Sequence, residues 1–200
     1  AVSDRVYKSR IYPIEALDEA FQTPNSADVN LRTLEISFDR TCQFACSYCN
    51  PAFSSTWARD IRTNGPYTGL VSDGRNHFTH AHDHSQLYKF GETNPYVEAF
   101  FQWWETDLHK TLEELRITGG EPLMTTEHLR ILKKYNETTS FSNLSVSYNT
   151  NGTFFPTDET LDMWKQLHKL DIVISIDGLG EVAENIRYGL NWDVFDANVK

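Results

Sequence analysis

Four short segments of this chain alternate between apolar and polar side chains, and helical stretches separate them. Leu34, Ile36 and Phe38 alternate with Glu35, Ser37 and Asp39, and Leu115 and Ile117 with Glu114, Arg116 and Thr118. Leu144, Val146 and Tyr148 alternate with Ser145, Ser147 and Asn149, and Ile172, Ile174 and Ile176 with Val173, Ser175 and Asp177. A period of two sends successive side chains to opposite faces of a strand. The spacing predicts strands over Thr33–Phe38, Glu114–Thr118, Leu144–Tyr148 and Asp171–Ile176. Helices are expected near Ser54–Arg62, Val97–Leu112, Thr126–Asn136, Asp158–Leu170 and Glu181–Leu190. Strand–helix alternation implies right-handed βαβ units and a parallel sheet. Parallel strands buried on both faces read as continuous apolar runs, and these do not. The expected fold is therefore α/β, with parallel strands and outer helices curving into a partial (βα) barrel whose polar face lines a lumen. A sheet with one exposed polar face is the plainer alternative.

The first connection, from Phe38 to Glu114, is much longer than the others. It holds an insertion over about 63–95, rich in Gly, His, Asn and Asp, which reads as loop. Residues 1–32 read as an N-terminal extension with a short helix over Ile14 to Phe21, and 33–200 as one domain. Net charge is −10, from 28 acidic and 18 basic residues, which disfavours nucleic acid as a partner. No apolar run reaches the roughly 18 residues of a membrane span. With unpaired cysteines and no export signal, the expected location is the reducing cytoplasm.

Ligands of parallel α/β folds gather at the C-terminal ends of the strands, and every distinctive motif of this chain falls there. After the first strand come Cys42, Cys46 and Cys49, the only three cysteines, as C-x3-C-x2-C. After the second stands Gly119-Gly120-Glu121-Pro122, after the third Asn149-Thr150-Asn151-Gly152, and at the fourth Ser175-Ile176-Asp177-Gly178. Three cysteines within one loop cannot pair off as disulfides. They can ligate three corners of an iron–sulfur cube, leaving one iron open, or hold zinc with a histidine as fourth ligand. His77, His80, His82 and His84 could supply such a histidine or a second metal site, although a polar surface loop explains them as well. Glu35 and Arg116 fall on polar strand faces, where they are placed to pair in a buried site or touch substrate.

The cysteine spacing, with Tyr48 before the last thiol, resembles that of the radical S-adenosylmethionine (radical SAM) enzymes. Gly119-Gly120-Glu121-Pro122 looks like their GGEP motif, which holds the methionine amino group. Ser175-x-Asp177-Gly178 followed by Arg187 is similar to the pattern in members with a SPASM or twitch extension. The resemblance covers about Leu34 to Trp192. It implies a 4Fe–4S cluster on Cys42, Cys46 and Cys49, and S-adenosylmethionine bound among Tyr48, Gly119, Gly120, Glu121, Asn149, Asn151, Ser175, Asp177 and Arg187. Ser175 would hold the ribose, Arg187 the methionine carboxylate, and Tyr48 would lie beside adenine. The implied activity is reductive cleavage of S-adenosylmethionine to a 5′-deoxyadenosyl radical that abstracts hydrogen from a substrate, a peptide or protein by family pattern. An external one-electron reductant is implied too. Barrels of this family usually have six βα units and this chain supplies about four, so a fragment or an abbreviated form is expected. A zinc-binding interaction module and a non-catalytic scaffold are the other readings.

Overall fold

The alternation along the strands resolves into two unlike faces of one sheet. The computed structural model describes residues 15, 18, 21, 22, 31–71, 74, 76–79, 94–138 and 143–200. Residues 1–30 and 31–200 form two compact units. In the first, Glu15, Asp18, Phe21 and Gln22 are helical, and the rest of the helix expected there lies outside the described residues. In the second, the elements in chain order are β1 (Thr33–Ser37), β2 (Ala45–Cys46), α1 (Ser55–Asn64), α2 (Pro95–Thr106), β3 (Glu114–Thr118), α3 (Glu127–Thr138), β4 (Ser145–Thr150), α4 (Asp158–Trp164), β5 (Lys169–Ile174), α5 (Glu181–Ile186), β6 (Arg187–Tyr188) and α6 (Trp192–Val199).

Strands β1, β3, β4 and β5 pair in that order, all parallel, with β1 and β5 at the edges. Leu115, Ile117, Val146 and Tyr148 are almost fully buried against Val97, Phe100, Phe101 and Trp104 of α2 and Ile131, Leu132 and Tyr135 of α3. The opposite face carries the polar set in register, so that Glu35, Arg116, Ser147 and Asp171 form one row across four strands. The next row is Ser37 beside Thr118, then Asn149 beside Val173. The fold is thus α/β with a four-stranded parallel sheet and helices. Among the described residues, no helix is long and apolar enough to cross a membrane.

Local chemistry explains where the elements depart from expectation. Helix α2 starts at Pro95 with Asn94 accepting the Tyr96 N–H at 3.0 Å. It stops at Thr106, short of the expected Leu112, where Asp107 leaves helical conformation, and a single 3-10 turn follows. Leu108 and Leu112 stay buried, so the apolar stripe outlasts the helix. Helix α4 ends at Trp164 because Lys169 and Leu170 already belong to β5, which pairs with Ser145 and Val146. As a result β5 starts and ends two residues early, and Ser175 and Asp177 lie in the loop beyond it rather than on one strand face. Its Ile172, Val173 and Ile174 are exposed at the sheet edge. The helix expected over Glu181–Leu190 breaks at Arg187, which pairs in β6 with the cysteine loop. His77 to Thr79 form a turn, while His80, His82 and His84 lie outside the described residues.

Candidate functional site

A cleft of about 360 Å³ opens at the C-terminal ends of β1, β3 and β4. That volume suits a small-molecule ligand. Cys42, Cys46 and Cys49 line it, together with Tyr48, Gly119, Gly120, Asn149, Asn151, Ser175 and Arg187. Of the residues expected to hold S-adenosylmethionine, Glu121 and Asp177 do not line it. Glu35, Ser37, Phe44, Phe53, Thr118 and Thr150 complete the wall.

The thiol loop is shaped by the start of α1. Ser54 caps that helix by accepting the Trp57 N–H at 3.2 Å, and donates to the Phe44 carbonyl at 2.5 Å. Ser55 Oγ both accepts from the Cys42 N–H and donates to the Cys42 carbonyl at 3.1 Å. Thr56 donates to the same carbonyl at 2.8 Å, and the Trp57 indole N–H to the Cys46 carbonyl at 2.9 Å. Four consecutive side chains therefore satisfy the loop backbone. A run of hydroxyls at a helix start, five residues after the last cysteine, was the available signal for this role.

The glycine pair serves the chain's own backbone. Gly119 has φ +128, and a Cβ there would meet the Asp39 carbonyl oxygen at 2.6 Å. At Gly120 it would meet the Thr41 oxygen at 2.2 Å. The Gly120 N–H donates to Asp39 O at 3.2 Å and the Glu121 N–H to Thr41 O at 2.7 Å. What presses against the bare backbone is the segment leading into the thiol loop. The Glu121 carboxylate is likewise used internally. It is 1% exposed and accepts from Thr150 Oγ1 at 2.8 Å, the Asn151 N–H at 2.6 Å and the Leu123 N–H at 3.1 Å. Burial raises its pKa, with those bonds opposing. Asn151 continues the chain by donating to Gln43 Oε1 at 3.2 Å, while Gln43 Nε2 donates to Thr153 Oγ1 at 2.6 Å. Gln43, between the first two cysteines, is a positioning residue that the sequence did not mark. Asn149 accepts from Arg116 Nε at 3.1 Å. Arg116 also pairs with Glu35 at 3.5 Å, and both side chains are about half exposed rather than buried.

Arg187 is 5% exposed and sits opposite Cys46 in the β2–β6 ladder. Its Nε donates to Asp177 Oδ2 at 2.6 Å, an oxygen that also accepts from the Tyr48 hydroxyl at 2.8 Å. Burial pushes the Cys42 thiol up to about 11. Cys46 and Cys49 are raised for the same reason, Cys46 with partial relief from the Arg187 charge. Capture of a metal or cluster must therefore release protons from these thiols. Among the described residues, no three His, Cys, Asp or Glu side chains converge as ligands of a single ion. A cube spreads its thiolates over three separate irons, so three sulfur donors along one cleft wall fit that group.

The chain is 28% identical over 146 residues to GTP 3′,8-cyclases of Actinobacillus pleuropneumoniae serotype 5b (strain L20) and serotype 3 (strain JL03). The same identity holds for that of serotype 7 (strain AP76). The matched stretch is 73% of this chain and 33% of each relative, so the chain spans about a third of the length of the curated relatives it matches. No known family profile matches the chain, and no solved structure does.

Proposed function

We propose that this chain is the S-adenosylmethionine-binding part of a radical SAM enzyme of the SPASM or twitch type, its sheet forming about four units of a partial (βα) barrel. The observation that carries the reading is that three thiols and a buried guanidinium open into one cleft. The likeness to GTP 3′,8-cyclases, which are radical SAM enzymes, supports it.

Cys42, Cys46 and Cys49 would hold three irons of a 4Fe–4S cluster. When bound, the cluster supplies the electron from an external reductant that cleaves the sulfonium C–S bond of S-adenosylmethionine to methionine and a 5′-deoxyadenosyl radical. The protein's residues position that cofactor. The terminal nitrogens of Arg187 take the methionine carboxylate, and backbone carbonyls at Gly119 and Gly120 take its ammonium group. Ser175, on the cleft wall past β5, takes the ribose, and Tyr48 flanks adenine. Asn149 and Asn151 stand on the rim, where Asn151 supports the loop through Gln43. The polar sheet row with Glu35 and Arg116 is left to meet the hydrogen donor. Two substrate classes have an observation each. The Ser-x-Asp-Gly pattern with its downstream arginine favours a peptide or protein, and the alignment favours a nucleotide.

The test is anaerobic reconstitution, with an expected content of about four irons and four sulfides per chain. Reduction with S-adenosylmethionine present should release 5′-deoxyadenosine, and Cys46→Ala should release none. Stoichiometric zinc without sulfide would instead make this an interaction module. A cluster that binds S-adenosylmethionine without cleaving it would make it a scaffold.

A further inference from the structure

Arg187 and Tyr48 share one carboxylate oxygen. The Arg187 Nε–H and the Tyr48 hydroxyl both donate to Asp177 Oδ2, at 2.6 and 2.8 Å. The guanidinium carbon lies 5.7 Å from the centre of the Tyr48 ring. The three residues come from different places: the cysteine loop, the loop after β5, and β6. The Arg187 side chain is 6% exposed and that of Asp177 35%. Among the described residues, Nε is the only guanidinium nitrogen of Arg187 that donates to a protein group. A guanidinium offers its donors as a planar fork, and an acceptor at Nε leaves the terminal nitrogens as the remaining pair. Arg187 lines the cleft, which is where a ligand for that pair would sit.

We infer that Asp177 is a positioning residue: it holds the Arg187 guanidinium at Nε, tied to the cysteine loop through Tyr48, so that the terminal nitrogens are presented to a carboxylate-bearing ligand. The identity of that ligand rests on the S-adenosylmethionine reading, and Asp177 then serves Arg187 rather than touching the cofactor itself. The physical gain is preorganisation. A free arginine side chain loses rotamer freedom when it binds, whereas one already clamped has lost it on folding. The charge of Asp177 also sets which edge of the guanidinium a second carboxylate can reach, because the Nε edge is taken.

The test has two arms. In the metal-free protein, the Arg187 Nε–H resonance should exchange slowly with solvent, and Asp177→Ala should make it fast. Fast exchange in the wild type overturns the inference without reference to any cluster. In anaerobically reconstituted protein, Asp177→Ala should weaken S-adenosylmethionine at least about tenfold by calorimetry, the lower end for a charged hydrogen bond. The same variant should weaken decarboxylated S-adenosylmethionine less than about twofold, since that ligand has no carboxylate for Arg187 to hold. Iron content should not change. Equal losses for the two ligands would mean a ribose contact and overturn the inference. Failure of the wild type to bind either ligand would overturn the S-adenosylmethionine reading, and the resonance would then decide the Asp177–Arg187 clamp on its own.

Discussion

Cys46 and Arg187 face each other across a two-residue antiparallel ladder, with Ala45 opposite Tyr188. The Ser47 N–H extends the contact by donating to the Ile186 carbonyl at 2.8 Å. A thiol donor and a buried cation are thereby fixed on one piece of backbone, although they come from distant parts of the chain. Any group bound at the sulfur and any anion bound at Arg187 would be spaced by hydrogen-bonded backbone. Side-chain freedom has little part in it.

That arrangement makes a binding prediction. Arg187→Ala should weaken S-adenosylmethionine binding by about 1.5–3 kcal/mol, the range for hydrogen bonds to charged groups. Arg187→Lys should recover only part of this, because an ammonium cannot present a planar fork. Iron content should be unchanged in both, since β6 pairs through its backbone. Calorimetry on reconstituted protein checks it, and wild-type affinity in Arg187→Ala would remove the residue from the site.

Gly120→Val should act on the fold before it acts on any ligand. Its Cβ would lie 2.2 Å from the Thr41 oxygen and 2.6 Å from the Arg40 carbonyl carbon, both backbone atoms that cannot swing aside. A loss of roughly 3 kcal/mol is expected, at the upper end for overpacking. Urea unfolding of the metal-free protein gives the number. Faster thiol labelling should accompany it, because Thr41 leads directly into Cys42.

Glu121→Gln tests whether that carboxylate belongs to a ligand or to the scaffold. The side chain takes three protein donors, so the amide should cost roughly 2 kcal/mol in the metal-free protein. An unchanged denaturation midpoint would contradict the internal role.

Acid should destabilise the core through His128. This residue is 3% exposed, with Nδ1 3.4 Å from the Tyr148 hydroxyl, and burial pushes its pKa down to about 4 from 6.5. The folded state therefore prefers the neutral ring, while the unfolded chain takes up a proton first. The contribution is complete above about pH 6.5 and fades as pH falls toward 4, a total of roughly 3 kcal/mol. His128→Phe should flatten that segment of the stability curve, read as the difference between the two proteins' urea midpoints against pH.

Much of this was legible from residue periodicity. β3 falls where its alternation put it, and Leu115, Ile117, Val146 and Tyr148 face the helices as their spacing required. The cysteine loop and most of the motif residues do gather at the strand ends. The misplaced boundaries of α4, β5 and α5 lie where tertiary pairing overrides local pattern. Lys169 and Leu170 continue a helical stripe yet join β4, and Arg187 continues α5 by sequence yet pairs with Cys46. The internal hydrogen bonds of Glu121 were not legible for another reason. An acidic residue beside two glycines at a strand end looks the same whether its carboxylate points to a ligand or to Thr150 and Asn151.

The clasp formed by Gly119, Gly120 and Glu121 has a consequence for how such a chain would decay. Because the incoming segment at Asp39–Thr41 and the turn at Thr150–Asn151 both lean on it, selection for folding alone would keep those three residues after the chemistry had been lost. Among the described residues the terminal nitrogens of Arg187 donate to no protein group, so drift after such a loss would reach them before it reached the clasp.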